Sequence, residues 1–267
     1  MRVLRVQMDG ITTSFRHPHF LIGRQPSYAL PPPATILGHI ASALGSWLAP
    51  DAIRFAYSFE SAGRVDDLEN IYATEIGGSV PREDKARWPH PVNVTGTMNP
   101  VPRELIFRPR LTLYLDAPEM LDTLYQAFKE PRYVVVLGRS QDLASYRSVQ
   151  LVETEEDRAG YLQGTLIGWG QRKRFRVGTG MVMPRYIDPD NRRRVIWAPY
   201  LLLEETVFLA PAEQTEPGSA WVATLPGEEF TVDPTSPPSK RGFRRILHWH
   251  SFTADEDSVH DFTAEHR

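Results

Sequence analysis

Cysteine is absent from the 267 residues. That excludes disulfides and thiolate zinc sites, and a cytoplasmic protein is expected, which the absence of cysteine permits without requiring. Long apolar runs are missing as well. Nothing approaches the roughly 20 residues that a membrane-spanning helix needs, so no membrane partner is expected. The start, MRVLRVQMDG, has basic residues but neither an extended apolar stretch nor a small-residue cleavage site, so a signal peptide is not expected. There is no excess of positive charge: the formal net charge is −3. Any nucleic-acid site must therefore be a local basic stripe balanced by acid elsewhere. HExxH, Walker and nucleophile-elbow patterns are also absent, and no cofactor is expected. The composition that remains, 41% hydrophobic and 24% charged, is that of a globular chain long enough for one large domain or two small ones.

The stretch around which the chain is organised is RQPSYALPPPATILGHIASALG, residues 24–45. Pro31, Pro32 and Pro33 fix their own φ and push the residues before them out of the helical region, so the chain stays extended to Ala34. The spacing of Ile36, Ile40, Ala43 and Trp47, widened by Leu37 and Leu44, predicts a helix over 34–48. Gly38 removes a side chain where another backbone could approach, and Gly45 weakens the helix near its end. A polar arm, Arg24 to Tyr28, thus faces a helix amino end whose free N–H groups suit an anion.

The rest of the chain reads as follows. Residues 1–8 and 53–61 alternate as strands, and 70–76 could continue the same sheet. Residues 77–103, rich in glycine, asparagine and proline, are too long and patternless for an ordinary connection, and read as an insert. Apolar alternation returns over 105–115. Leu121, Leu124, Tyr125 and Phe128 then predict a helix after Pro118, and Tyr133 to Leu137 reads as a short buried strand. Strand, helix, strand, strand, helix, strand is the ferredoxin-like order. Beyond Ser140 the chain leans to β. A strand is read at 161–169 and a hairpin over 177–187 and 193–203 about Asp188-Pro189-Asp190-Asn191, with shorter strands at 207–209 and 221–224. DPTSPPSKRG looks like a linker, and the end reads as a loose polar tail.

Two segments carry a family resemblance. Ser27-Tyr28-Ala29-Leu30-Pro31-Pro32, continuing through Thr35 to Gly38, is similar to the S-Y-x-x-P-P-x-[ST]-x-x-G signature of the Cas five family of CRISPR-associated RAMP subunits. Val136-Leu137-Gly138-Arg139-Ser140 resembles that family's L-G-R-S segment. The resemblance covers roughly the first 145 residues. It implies an α+β chain with a RAMP-type domain, ferredoxin-like or RRM-like (βαββαβ), over 1–145. The insertion 77–103 would be a thumb. Beyond the resemblance, the pattern itself gives a β-rich part over 146–250 and a polar tail over 251–267. The resemblance further implies a subunit of type I Cascade, I-B-like in subtype, that caps the crRNA 5′ handle. Its partners would be the crRNA, the backbone subunit and the large subunit, with target DNA a further candidate.

Candidate residues follow. Arg24, Gln25, Ser27 and Tyr28 could bind RNA, with arginine on phosphate, serine and glutamine on base edges or 2′-hydroxyls, and tyrosine stacking a base. Thr35, Gly38 and His39 complete that site, and Arg139 with Ser140 reads as a phosphate nest after a strand. On the insert, Arg82, Lys85, Arg87, Trp88 and Arg103 would contact RNA or a neighbouring subunit. Arg172, Lys173, Arg174 and Arg176, and the run 192–194, form a candidate basic surface near aromatic rings, or equally a solvated strand edge. His17-Pro18-His19 and His248-Trp249-His250 have a spacing that some zinc sites use, but no third ligand is evident and no metal is expected. The reading favours an RNA-gripping subunit without chemistry. A metal-independent endoribonuclease is the alternative, with His17, His19, Tyr28 or His39 as the base, and a scaffold that contacts only protein is a third class.

Overall fold

The structure, a computed structural model, describes residues 1–20, 23–75, 94–191 and 194–252, and for 73–75 and 94–97 the backbone alone. Its first half runs β1 (Arg2–Gly10), β2 (Thr12–Thr13), α1 (Pro33–Leu44), β3 (Arg54–Glu60), β4 (Gly63–Glu75), β5 (Val94–Phe107), β6 (Arg110–Asp116), α2 (Leu121–Lys129) and β7 (Ala144–Glu153). Four of these strands form one antiparallel sheet in the order β3-β6-β1-β7. Alternation along β1 explains its two faces. Leu4, Val6 and Met8 pack with Ile36 and Ile40 of α1 and Leu124 and Phe128 of α2, whereas Val3 joins Ala56, Tyr114 and Val152 on the opposite face. Both helices therefore cover the same side.

Three expectations are corrected in this half. The helix stops at Leu44, because Gly45 takes the left-handed conformation (φ 82°) and its N–H closes on Ala41 O at 2.8 Å. Trp47 consequently lies outside it and is exposed. Residues 70–75 do not continue the main sheet. They belong to β4, which pairs with β5 as a long ribbon with β2 at its base, so residues 94–103 of the supposed patternless insert are strand. Tyr133 to Leu137 is not a strand. Tyr133 and Val134 are exposed, and the edge of β1 that they would need is taken by β7, paired from Arg2–Glu153 to Gly10–Ala144. The sheet thus runs to Glu153, past residue 145.

The second half is strand-rich: β8 (Glu155–Asp157), β9 (Gly160–Leu162), β10 (Thr165–Gly168), β11 (Thr179–Ile187), β12 (Val195–Leu203), β13 (Val207–Ala210), β14 (Trp221–Ala223) and β15 (Phe230–Val232). The expected hairpin is β11–β12, joined by β10. Met183, Tyr200 and Leu202 of this hairpin share the core of α1 and α2. The outer edge of β3 is closed by the same half. Phe59 N–H donates to Gly164 O at 2.8 Å, and Phe55 exchanges backbone hydrogen bonds with His250 at 3.1 and 2.7 Å. Among the described residues no helix is long and apolar enough to cross a membrane.

DPTSPPSKRG is not a free linker. Asp233 is fully buried and accepts hydrogen bonds from Arg5 Nη1 (2.6 Å), Tyr114 Oη (2.9 Å), and Thr235 through both its N–H (2.8 Å) and its hydroxyl (2.7 Å). Burial raises its pKa, but those hydrogen bonds outweigh burial and hold the carboxyl below its usual value. The pair fastens the returning chain to the sheet face that the helices leave open. Asp233→Ala would leave the largely buried Arg5 side chain without its counter-ion, and should cost up to about 3 kcal/mol in urea unfolding. The double variant Arg5→Met/Asp233→Ala should recover most of that loss. A single variant within 1 kcal/mol of wild type (about the net worth of one hydrogen bond) would show that the anchor is dispensable.

Candidate nucleic-acid interface

The arm at residues 24–28 is held on two sides. Tyr28 N–H donates to Phe15 O at 2.8 Å on one side. On the other, Gln25 N–H donates to Pro102 O at 2.8 Å and Glu104 N–H to Gln25 O at 3.0 Å, a parallel pairing that ties the arm to the ribbon. Ser27 is buried, and its Oγ accepts from Phe15 N–H at 2.9 Å while donating to Tyr28 O at 2.9 Å. Tyr28 is 1% exposed, stacks on His17 at 3.6 Å and donates its hydroxyl to Val182 O at 3.3 Å. Burial pushes its phenol up to about 12. The expectation that Tyr28 stacks a base is corrected: its ring is already part of the core. Gln25 is buried too. Arg24 is exposed, but its guanidinium sits on Asp66 at 2.8 Å with Glu104 at 3.6 Å.

The second motif is similarly committed. Gly138 has φ 91°, and a Cβ there would lie 2.5 Å from Thr13 Oγ1 and 2.8 Å from Ser14 O, so only glycine fits. Arg139 grips the buried Asp142 through Nε (2.9 Å) and Nη2 (2.8 Å), and Glu69 lies 3.7 Å from its Nη1. Glu69 also accepts from the buried Arg103. The phosphate nest read at Arg139 is thus already occupied by carboxylates. Ser140 is exposed beside it.

The two motifs nevertheless meet. Pro32, Thr35, Gly38 and His39 form one wall of a cleft of about 440 Å³, and Val136, Leu137 and Gly138 form the facing wall. Phe15, Arg16 and Pro18 close one end, and Pro184 and Trp197 of the β11–β12 hairpin supply a third side. Arg16 is exposed, and among the described residues it has no carboxylate in ion-pair range. A Cβ built on Gly38 would meet nothing within 4 Å, so this glycine admits no neighbouring backbone and instead keeps the cleft open. The helix start is poorer in free donors than expected, since Pro33 has no N–H and Thr35 N–H donates to Pro32 O at 2.8 Å. Arg16 and Trp197 were missed in the sequence as parts of one site, because their meeting depends on the hairpin folding back over α1.

The candidate bases are mostly engaged. His39 Nδ1–H donates to Val136 O at 3.1 Å, which leaves Nε2 to accept the Tyr146 hydroxyl at 2.8 Å. Burial holds His39 down at about 4, so it is neutral near pH 7. Burial also lowers His17. His19 is exposed and stacks on Trp197 at 5.1 Å. His250 is buried and its pKa is pushed well down by burial. No group of three metal-ligating side chains occurs among the described residues.

The basic run at 172–176 is a 3-10 turn and a bend, not an edge strand. Arg172 lies over Trp169 at 4.6 Å, and Arg174 forks onto Glu228 at 2.7 and 2.8 Å. Lys173 and Arg176 are exposed. Arg82, Lys85, Arg87 and Trp88, two arginines of the 192–194 run, and the tail from 253 lie outside the described residues.

Comparison with known proteins now decides the family. A family model described as CRISPR-associated protein (Cas_Cas5) matches residues 3–199. The chain belongs to the CRISPR-associated Cas5 family. As a Cas5 protein it is also similar in fold, at low scores, to solved structures. One is a chain titled CRISPR RNA-guided surveillance complex (18% identity, 81% of this chain, 94% of that one, TM-score 0.48). Another is a CRISPR protein from Archaeoglobus fulgidus (12%, 88%, 100%, 0.40). A third is a chain of a Type III-B Cmr-beta complex bound to cognate target RNA and AMPPnP (12%, 77%, 85%, 0.44). No curated protein matches the chain significantly.

The Cas5 cleft gives a pH signature. The folded His39 value of about 4 lies below the unfolded value of about 6.5, so the unfolded chain binds the proton first as pH falls. Stability is unaffected by this group above pH 6.5 and declines between about 6.5 and 4, by about 3 kcal/mol at the lower limit. Urea unfolding across that window should show a shallower decline for His39→Gln than for wild type. Equal slopes would mean that His39 is protonated in the folded protein.

Proposed function

We propose that this Cas5 protein is a non-catalytic RNA-binding subunit of a CRISPR type I effector complex, in which the α1 cleft grips the crRNA 5′ handle. The observation that carries the reading is that parts of both motif segments, Pro32, Thr35 and Gly38 of the first and Val136, Leu137 and Gly138 of the second, line that one cleft. The strand order β3-β6-β1-β7 with both helices on one face supports reading the sheet as the ferredoxin-like RAMP unit. Residues 1–145 would carry the RNA site and the insert, and the β-rich second part would wall the cleft with its hairpin. The β4–β5 ribbon would reach the backbone subunit, and a cytoplasmic complex with the large subunit completes the proposal.

Within the cleft the roles follow from chemistry. Arg16 supplies the uncommitted cation for a phosphate. Trp197, Pro184 and Pro32 offer apolar surfaces for a base. Arg24, Arg103 and Arg139 are positioning residues here: their carboxylate partners fix the arm, the ribbon base and the 138–142 loop relative to one another. The endoribonuclease alternative finds less support, because both nitrogens of His39 are hydrogen-bonded and Tyr28 is buried.

Gly38→Leu tests the cleft. The substitution removes a helix-interior glycine, so folding stability should rise by roughly 0.5–1 kcal/mol while the new side chain fills the cleft. Handle-RNA affinity should fall at least about tenfold, a change of about 1.4 kcal/mol. Arg16→Ala should weaken binding and flatten the dependence of log K on log salt by about 0.7, the share of one phosphate on a single strand. Repeat RNA should remain uncut by all these proteins. Unchanged affinity in Gly38→Leu would place the RNA elsewhere, and cut repeat RNA would favour the nuclease.

A further inference from the structure

The sheet face away from the helices holds a second polar cleft, of about 500 Å³. Its floor is built by register. Asp9 of β1 pairs across the sheet with Arg110 of β6, which pairs with Glu60 of β3. Arg147 and Arg245 extend the row at its two ends. Arg147 is the extra residue of a β-bulge in β7, where the register against β1 shifts between Gln7 and Met8. Such a bulge re-aims a side chain, and here Arg147 reaches Asp9 at 3.1 Å. At the other end Arg245 holds Glu60 at 3.0 Å and Gln163 O at 3.0 Å, with its guanidinium 4.9 Å above Tyr161.

The result is a row of five alternating charges, Arg147, Asp9, Arg110, Glu60 and Arg245, that begins and ends on arginine. Arg110 at its centre is exposed, and among the described residues no carboxylate lies in ion-pair range of it. Asp9 and Glu60 are each engaged by an outer arginine, so the row carries one net positive charge, centred on Arg110. The next row inward offers neutral donors and acceptors: Gln7, Thr112 and Ser58. Pro237 and Pro238 form part of the roof, fastened by the Asp233 anchor.

We infer that this cleft binds single-stranded nucleic acid, with a phosphodiester on Arg110 and base edges or sugar hydroxyls on the neutral row. Three interstrand spacings, about 14 Å, separate β7, which carries Arg147, from β3, which carries Glu60, and Arg245 lies beyond, so the row suits a stretch of backbone more than a lone phosphate. The neutral amides and hydroxyls match base edges, which an acidic peptide would leave unused. A roofed cleft of this size admits an unpaired strand and not a duplex. The site stands on the opposite side of the sheet from the α1 cleft, so one protein could hold two strands at once.

The test is anisotropy of a fluorescent oligothymidylate at low salt, with thermal melts to confirm folding. Wild type should bind it. Arg110→Glu should weaken binding about tenfold or more, Arg110→Gln by less, and Arg110→Lys should retain most of it. Gly38→Leu should leave oligothymidylate binding unchanged while reducing handle-RNA binding, and Arg110→Glu should do the reverse. That crossed pattern separates failure of this inference from failure of the handle reading. No binding by wild type, equal affinity in Arg110→Glu, or loss of binding in Gly38→Leu would each overturn it. Displacement by polyglutamate at matched charge would overturn it in favour of an acidic protein partner.

Discussion

Closure of one sheet edge governs this molecule. Strand β3 is the outer strand on its side, and an open edge presents a row of unpaired backbone groups. Here the edge is met by Gly164 O and by His250, both from the second half of the chain. Gly164 can make that approach because it has no Cβ. A Cβ at this position, with φ 59°, would fall 2.0 Å from Phe59 O. Once the second half is bound there, the β11–β12 hairpin lies against α1, and Pro184 and Trp197 become a wall of the α1 cleft. The same docking brings the 233–250 return across the other sheet face. Both clefts are consequences of one edge contact.

Charge follows a related rule. Four arginines that draw attention in the sequence are paired within the chain, Arg24 with Asp66, Arg103 with Glu69, Arg139 with Asp142 and Arg174 with Glu228, and Arg5 is paired likewise with Asp233. Exposed pairs such as Arg24–Asp66 contribute little to stability, typically about 0–1 kcal/mol. Their value is geometric. Glu69 on the ribbon is shared between Arg103 and Arg139, so the base of the ribbon and the loop that walls the cleft are held by one carboxylate. Two of the described arginines with no carboxylate in ion-pair range, Arg16 and Arg110, stand at the two clefts. A chain with net charge −3 can thus present local positive sites without a basic overall composition.

Local pattern and burial made much of the first half legible. The alternation at residues 1–8, the Ile36–Ile40–Ala43 stripe and the Leu121–Leu124–Phe128 stripe all point to the core they enter. The strand β7 was not legible, since ASYRSVQLVE is largely polar on the face it turns to solvent, whereas YVVVL has stronger β propensity but no free edge to join. Propensity loses there to topology. The 234–243 segment failed for a different reason. Its proline and serine content is that of a linker, and nothing local reveals that Asp233 meets Arg5 and Tyr114 from the far end of the chain. At the proposed site, parts of both motifs line one cleft, but Tyr28 and Arg139 are engaged within the chain. Tyr28 looks available in sequence because its loss of exposure comes from burial, and Arg139 because nothing in the sequence marks Asp142, three residues on, as its buried partner.

The division between committed and uncommitted groups has a consequence for recognition. A side chain that must desolvate and abandon a good partner to meet a ligand gives back much of what it gains. Arg139 would have to leave a two-pronged contact with a buried carboxylate, and that carboxylate would then be unpaired. Arg16 and Arg110 have no carboxylate to abandon among the described residues. On the proposed readings, recognition would therefore fall to residues that the ion-pair network has left outside itself, while the network fixes the walls on which so few free charges are placed. The Gly38 opening fits the same logic: the α1 cleft is kept empty by an absent side chain, and its rim by backbone contacts at Gly138 that no larger residue could make.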